Sequence, residues 1–158
     1  MKKYRLLKDE TIKIGDRVLC RIEAVRSFSC VKKGDRGGFI ESEKNLSHLG
    51  NALVCGNARV FGNARVCGNA RVFGNAEIAG DAEVHCDEDY IVFKNWWSSG
   101  RYFSWTRTNN KWKAGCFYGT GEDLIIRAYA DSEKSGREYE RVVNYVSSIM
   151  EDEEQNSN

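Results

Sequence analysis

The fold is decided by residues 50–85, which read GNALVC GNARVF GNARVC GNARVF GNAEIA GDAEVH, six consecutive hexads without a slip. Each hexad has Gly first, then Asn or Asp, then Ala, a variable residue and an aliphatic residue in most copies. A helix does not account for this pattern, because a six-residue period drifts around a helix with about 3.6 residues per turn. Gly and Asn in nearly every hexad would also weaken a helix.

A repeat of short strands and corners accounts for each hexad position. Ala58 and Val60 are two residues apart, so they point to one face of a strand, whereas Arg59 and Phe61 point to the other face. The pair Gly62-Asn63 then supplies the corner, since both residue types tolerate a positive φ. The sequence therefore predicts an apolar interior made of Ala and aliphatic side chains.

The motif resembles the hexapeptide-repeat family, whose fold is a left-handed parallel β-helix with three hexads in each triangular coil. The resemblance implies two complete coils in residues 50–85. A coil of 18 residues places Arg59 beneath Glu77 and Arg65 beneath Glu83. The change from Arg to Glu after one coil fits this register, because like positions become neighbours and opposite charges avoid repulsion.

The outward row of the hexads carries two phenylalanines, which is unusual for a solvated face. Either they pack against the end domains of the same chain, or they form a subunit interface. The family resemblance implies a trimer, with a dimer as the alternative. The candidate oligomer-interface residues are Phe61, Phe73, Cys55 and Cys67.

The flanks of the repeat must cap it, because two coils expose backbone groups and apolar interior at both ends. Residues 1–49 predict an N-terminal β segment, and residues 50–88 form the repeat region. Residues 89–150 predict three strands (DYIVFK, RYFSWTR and KWKAGCFY) and two helices, and residues 151–158 predict a disordered acidic tail. The predicted fold class is mainly β: a short left-handed parallel β-helix with an N-terminal β cap and a C-terminal α+β (βββαα) domain.

Composition excludes several classes of protein. Of the 158 residues, 41% are apolar and 30% are charged, which excludes a disordered chain, and no apolar run approaches the ~20 residues of a membrane span. The net charge of +1 gives no sign of a polyanionic partner. The start, MKKYRLLKDETIKIG, lacks the apolar segment of a signal peptide. The six cysteines show no C-x-x-C spacing, which predicts reduced thiols, no metal site and a cytoplasmic protein.

The resemblance also raises the question of catalysis. Many hexapeptide-repeat proteins are acyltransferases that use a catalytic His and a coenzyme groove between subunits. Here the candidates are His48 and His85, neither of which lies in a loop inserted between hexads. We therefore predict a protein that is not an enzyme and uses no cofactor, with an acyltransferase-like enzyme as the alternative.

The stretch 89–118 interleaves aromatic and basic residues, with five Lys or Arg against one Asp. Aromatic faces that stack on bases beside cations are typical of nucleotide or single-strand binding. One buried face and a Lys-protected edge of an ordinary sheet would give the same pattern. Trp96 and Trp97 are adjacent in a turn, so at least one should lie at an interface. The candidate binding residues are Trp96, Trp97, Arg101, Lys94, Arg107, Lys111 and Lys113.

The run KKGDRGGFIESEKNLSHLGNA, followed by GNARV repeats, resembles small hexapeptide-repeat proteins common in phages and prophages. The resemblance implies a non-enzymatic interaction protein of phage or prophage origin, which would act in the host cytoplasm. Inhibition of a host defence system, by binding a CRISPR-type nuclease complex or a nucleotide signal, is the specific function expected. The alternatives are the acyltransferase-like enzyme and a virion-associated structural module.

Overall fold

The computed structural model describes residues 1–157, which contain thirteen strands and two α-helices. The helices are α1 (Gly121–Asp131) and α2 (Glu133–Asn156). The strands in chain order are β1 (Tyr4–Ile14), β2 (Arg17–Ala24), β3 (Arg36–Ile40), β4 (Leu53–Val54), β5 (Arg59–Val60), β6 (Arg65–Val66), β7 (Arg71–Val72), β8 (Glu77–Ile78), β9 (Glu83–Val84), β10 (Tyr90–Lys94), β11 (Tyr102–Thr106), β12 (Lys111–Ala114) and β13 (Phe117–Gly119).

The hexads stack in two tiers, the first formed by residues 50–67 and the second by residues 68–85. Three parallel pairs join the tiers, β4 with β7, β5 with β8 and β6 with β9. Arg59 pairs with Glu77 and Arg65 pairs with Glu83, so the predicted 18-residue register is confirmed.

The interior between the strands is filled by the small and aliphatic residues of the hexads. The side chains that are 0% exposed include Ala58, Val60, Ala64, Val66, Ala76 and Ile78. Glycine is required where the tiers approach closely. Gly50 has a φ of +66°, and a Cβ there would lie 2.7 Å from the carbonyl oxygen of Gly68.

The predicted fold class is wrong. In the described residues the strands form four sheets, and the largest is mixed, with the order β1-β2-β3-β5-β8. Its first three strands are antiparallel, whereas β3, β5 and β8 are parallel. Each hexad strand is only two residues long. The row formed by β5 and β8 joins the N-terminal hairpin through β3, whereas the rows β4-β7 and β6-β9 remain two-stranded. The architecture is therefore one of short mixed, parallel and antiparallel sheets with two C-terminal helices.

The predicted βββαα arrangement and the disordered tail also need correction. The C-terminal sheet has four antiparallel strands, in the order β10-β11-β12-β13. The stretch KWKAGCFY is a hairpin rather than one strand, because Gly115, with a φ of +59°, turns the chain back. Helix α2 continues to Asn156, so most of the acidic segment is helical. Arg107 forms an ion pair with Glu153 and holds this last part of the helix against the sheet.

The first tier is closed by the N-terminal segment. Strand β3 continues the ladder by pairing with β5, and Leu46 bridges Val66. Asn45 is 0% exposed and donates from Nδ2 to the carbonyl oxygens of Gly62 (3.2 Å) and Ala64 (2.8 Å).

Lys3 is a buried side chain that caps backbone carbonyl groups at this end of the stack. It is 0% exposed, and its ammonium donates to the carbonyl oxygen of Ala52 at 2.6 Å and to that of Gly50 at 3.3 Å. Burial lowers the pKa of Lys3 to about 8. The neighbouring Tyr4 donates from its hydroxyl to the carbonyl oxygen of Leu46 at 2.6 Å.

The C-terminal sheet lies between the second tier and the helices. Its helix-facing side chains form a second core with Leu124 of α1 and Val143 of α2, and they include Phe103, Trp105, Trp112 and Ala114. Its other face and the turn that follows β11 supply hydrogen bonds to the second tier. Ser104 Oγ accepts from the N–H of Glu77 at 3.2 Å, and Thr108 Oγ1 accepts from the N–H of Glu83 at 3.0 Å.

Residues just before and within β10 meet further backbone groups of the second tier. Asp87 accepts from the N–H of Arg71 at 2.7 Å, and Tyr90 donates from its hydroxyl to the carbonyl oxygen of Arg71 at 2.7 Å. Side chains therefore cap this end of the stack, as the sequence requires. No helix within residues 1–157 is both long enough and apolar enough to cross a membrane.

Candidate binding surface at the Asn95–Gly100 turn

The turn between β10 and β11 is a tightly bonded segment. The N–H of Asn95 donates to the carbonyl oxygen of Arg101 at 2.7 Å, and the N–H of Gly100 donates to the carbonyl oxygen of Asn95 at 2.9 Å. Gly100 has a φ of +72°, which favours glycine at this position. These two backbone hydrogen bonds therefore close the turn.

Trp97 fastens the turn to α2. Its indole Nε1 donates to Ser135 Oγ at 3.1 Å, and its ring meets Tyr139 edge-on at 4.9 Å between centroids. Asn95 Nδ2 donates to the hydroxyl of Tyr139 at 3.2 Å. Burial raises the pKa of Tyr139, which keeps its hydroxyl protonated. Trp97 is therefore half-buried against the C-terminal core, where it has a structural role, and its role as a binding residue stays a prediction.

Trp96 has the opposite environment. Its side chain is 66% exposed and lies edge-on to Trp97, with 5.9 Å between ring centroids. The ammonium of Lys134 lies 5.7 Å from the Trp96 ring centroid, within the range of a cation–π contact. Trp96 is therefore the exposed member of the pair, and the expectation that at least one of the two tryptophans lies at an interface stays a prediction. We call Trp96 and Lys134 the Trp96 patch.

Sequence reasoning missed Lys134 as a member of this patch. Lys134 lies in the first turn of α2, far along the chain from the turn, and no local pattern links the two segments. Lys94 ends β10 with an exposed side chain, two residues before Trp96. Arg101 is also exposed and lines a hollow of about 190 Å³ with Arg59, Glu77 and other residues of the tiers.

The other predicted basic binding residues have structural contacts instead. Arg107 donates from Nε to the carbonyl oxygen of Glu88 at 3.1 Å and pairs with Glu153. Lys113 is 9% exposed and donates to the carbonyl oxygen of Gly115. Burial lowers the pKa of Lys113. Lys111 is half-buried and pairs with Thr106 in the ladder. The structure does not bring these three residues to the Trp96 patch.

The predicted oligomer-interface residues are divided in the same way. Phe61 is 6% exposed and packs with Leu19, Phe39 and Ala79 of its own chain, so its assignment to a subunit interface is corrected. Phe73 is 54% exposed. Cys55 and Cys67 are half-buried, and burial raises the pKa of both thiols.

Both histidines contact residues of the tiers or of the N-terminal segment. His48 stacks on Tyr4, with 4.1 Å between ring centroids. His85 lies 3.0 Å from Cys67 Sγ through Nδ1 and 3.1 Å from Glu83 Oε2 through Nε2. The raised pKa of Cys67 keeps it as a thiol, which is a weaker nucleophile than a thiolate.

Within residues 1–157, no group of three or more His, Cys, Asp or Glu side chains is placed to hold a metal ion. A cavity of about 260 Å³ lies between the N-terminal hairpin and the first tier, and its walls include Phe28, Leu53 and Val54. It is smaller than most pockets for ligands, which have about 300 Å³ or more. Comparison with protein-family models and with curated proteins found no match to this chain.

Proposed function

We propose that this protein is a non-enzymatic binding protein that contacts its partner through the Trp96 patch. The observation that carries the proposal is the 66% exposure of Trp96 on a turn that Trp97 fixes to α2. An exposed large aromatic side chain on a rigid support loses little conformational entropy when a partner covers it. Tryptophan is also the residue type most enriched among binding hot spots.

The charge beside Trp96 favours an acidic partner surface. Lys134 lies over the indole ring, and the exposed Lys94 is two residues away along the chain. The resemblance of the hexads to phage-encoded GNARV-repeat proteins makes a host protein complex of a defence system the expected partner. The six cysteines are all unpaired, which is consistent with action in the cytoplasm.

The test separates Trp96 from Trp97, although the two are neighbours in the sequence. Trp96→Ala should weaken partner binding by about 1–3 kcal/mol, which is roughly 5- to 150-fold, while the thermal midpoint changes little. Capture from a bacterial lysate on immobilised protein, followed by titration of the captured complex, measures this loss. Tyr145→Ala is the matched control, because Tyr145 is a 58% exposed aromatic residue on α2.

Equal capture by the wild type and by Trp96→Ala would contradict this site. A thermal shift with cyclic or linear nucleotides that disappears in Trp96→Ala would identify a nucleotide signal as the ligand instead. Turnover of a coenzyme thioester that is lost in His85→Ala would support the acyltransferase-like alternative. Capture of virion proteins alone would favour a structural module.

A further inference from the structure

The feature that leads beyond the Trp96 patch is the open edge of β10. This strand is the first of the C-terminal sheet and pairs only with β11 within the described residues. The N–H of Arg107 donates to the carbonyl oxygen of Asp89, and the N–H of Asn95 donates to that of Arg101. Along an antiparallel pair, every second residue of a strand directs its N–H and C=O toward the partner strand. These two bonds therefore fix which residues of β10 direct their backbone toward β11.

The alternation leaves the peptide groups of Tyr90 and Val92 pointing away from β11. Ile91 and Phe93 instead direct their backbone toward β11, opposite Trp105 and Phe103. Within residues 1–157, no hydrogen bond is made to the outward N–H or C=O of Val92. β10 therefore presents one unpaired donor and one unpaired acceptor, both of Val92, at the centre of an open edge whose first four residues are half-buried.

A groove runs along this edge and has a volume of about 500 Å³. Its walls include Tyr90 and Val92 of β10 on one side and Phe73 of the second tier on the other. Phe73 is 54% exposed and Tyr102, which also lines the groove, is 41% exposed. An open strand edge beside exposed aromatic side chains is the geometry in which another strand is added to a sheet.

The comparison with β1 shows that β10 lacks the usual protection of an edge. β1 is interrupted by an irregularity between Leu7 and Thr11 and carries the charged run KDE in this interval. Bulges and charges of this kind prevent unwanted strand pairing. The first four residues of β10, YIVF, contain no charge, no proline and no register shift. Something is therefore expected to cover this edge.

We propose that a second copy of this chain covers it, with the two β10 strands antiparallel about a twofold axis at Val92. A twofold axis is self-complementary, so the outward N–H of Val92 in each copy meets the outward C=O of Val92 in the other copy. The pairing joins two four-stranded sheets into one of eight strands, with the tiers on one face and the helices on the other. It also covers Phe73, the exposed phenylalanine of the second tier.

Charge complementarity selects a second copy over an unrelated peptide. In this register Lys94 of the second copy lies opposite Tyr90, whose neighbour in the groove is Asp87. The carboxylate of Asp87 accepts from Arg71, and its pKa is lowered by that contact, so it stays ionised. Lys94, the only charge in β10, thus approaches the Asp87 carboxylate of the other copy, where it would extend the existing Arg71–Asp87 ion pair, twice in each dimer.

The test measures the mass of the full chain in solution by light scattering over a range of concentrations. The expected mass is twice the 18.0 kDa of one chain. Val92→Pro removes the outward N–H at the centre of the interface, and an edge strand tolerates proline where its N–H faces solvent. This variant should raise the dimer dissociation constant by about tenfold or more, since hydrogen bonds at the axis are lost.

Val92→Ala is the matched control, because it keeps the N–H and should leave the dimer mass unchanged. Phe73→Glu provides a second disruption outside β10, so the proposal remains falsifiable if Val92→Pro does not fold. A wild-type protein that stays monomeric, or a trimer mass that neither variant changes, would overturn the proposal. Capture of a partner by the Trp96 patch is measured separately, so failure of one proposal is distinguishable from failure of the other.

Discussion

The two ends of the tier stack solve the same problem in different ways. At the first tier, the chain continues the ladder with backbone, through β3 on β5 and the bridge from Leu46 to Val66. At the second tier, the C-terminal sheet meets the stack with one face, so only its side chains reach the exposed backbone. Ser104 and Thr108 are two of these side chains.

This difference teaches where each cap concentrates its stability. The N-terminal cap depends on few side chains that are fully buried, such as Lys3 and Asn45, and each makes two or more hydrogen bonds. The C-terminal cap distributes its hydrogen bonds, one to three for each side chain, over several residues, some of them exposed. A single substitution should therefore cost more at the first tier than at the second.

The largest expected effect is that of Asn45→Ala. This change removes two donors to the carbonyls of the first tier and the acceptor for the N–H of Ser42. Because buried groups left without partners cost about 1–3 kcal/mol, the free energy of unfolding should fall by roughly 3 kcal/mol. Ser104→Ala, which removes one bond, should cost about 1 kcal/mol.

Chemical denaturation of both variants measures this difference. Asn63→Ala serves as the control, because Asn63 is an exposed residue at a tier corner and should cost about 0.5 kcal/mol or less. Equal losses for Asn45→Ala and Ser104→Ala would break the contrast between the two ends.

An intermediate effect concerns the pH dependence of the N-terminal cap. Burial lowers the pKa of Lys3 from 10.5 to about 8, so between these values the unfolded chain binds a proton that the folded chain has released. The contribution of Lys3 to the free energy of unfolding therefore rises as the pH increases from about 8 toward 10. The free energy of unfolding of the wild type minus that of Lys3→Met should become more positive over this range, by at most about 1.4 kcal/mol per pH unit.

Titration of other groups cancels in that difference, so urea denaturation at several pH values suffices to measure it. Lys2→Met is the control, because the Lys2 side chain is 65% exposed and lacks the buried environment of Lys3. If the difference in free energy of unfolding between wild type and Lys3→Met stays constant with pH, Lys3 keeps its ordinary pKa in the folded protein. That result would contradict the lowered pKa of the buried Lys3 amine.

The smallest effect sharpens the comparison between rows of the stack. Arg59 Nη1 lies 3.3 Å from Glu77 Oε1, so a double-mutant cycle with Arg59→Gln and Glu77→Gln should give a coupling of about 0.5 kcal/mol. Arg65 and Glu83 have the same register, but Glu83 contacts His85 instead. Their coupling should be close to zero, and equal couplings would show that register alone sets the value.

The strict period of the hexads allowed the strand register to be predicted, but not the sheets that those strands join. A six-residue repeat fixes which residues are neighbours, such as Arg59 and Glu77. It contains no information on the N-terminal hairpin, whose strands extend one row into a mixed sheet. The fold class was therefore wrong, although the pairs within the repeat were predicted.

The candidate site shows the same limit at the level of single residues. Trp96 and Trp97 are residues of the same type and are adjacent in the sequence, yet Trp96 is exposed and Trp97 packs on Tyr139. Contacts with α2, distant in sequence, decide between them. The acidic end of α2 was missed for a related reason, since its anchor, Arg107, lies in the sheet.

The 18-residue register restricts how the length of this protein can change during evolution. The capping hydrogen bonds at each end go to the backbone of the adjacent tier, so the distance between the caps can grow by whole tiers while these hydrogen bonds are kept. Insertion of a single hexad would instead move each strand to the neighbouring row, and Ser104 and Thr108 would face the wrong backbone groups. The length of the repeat in this architecture can therefore change only in units of one 18-residue tier, because the caps, and not the single hexads, require the register to be kept.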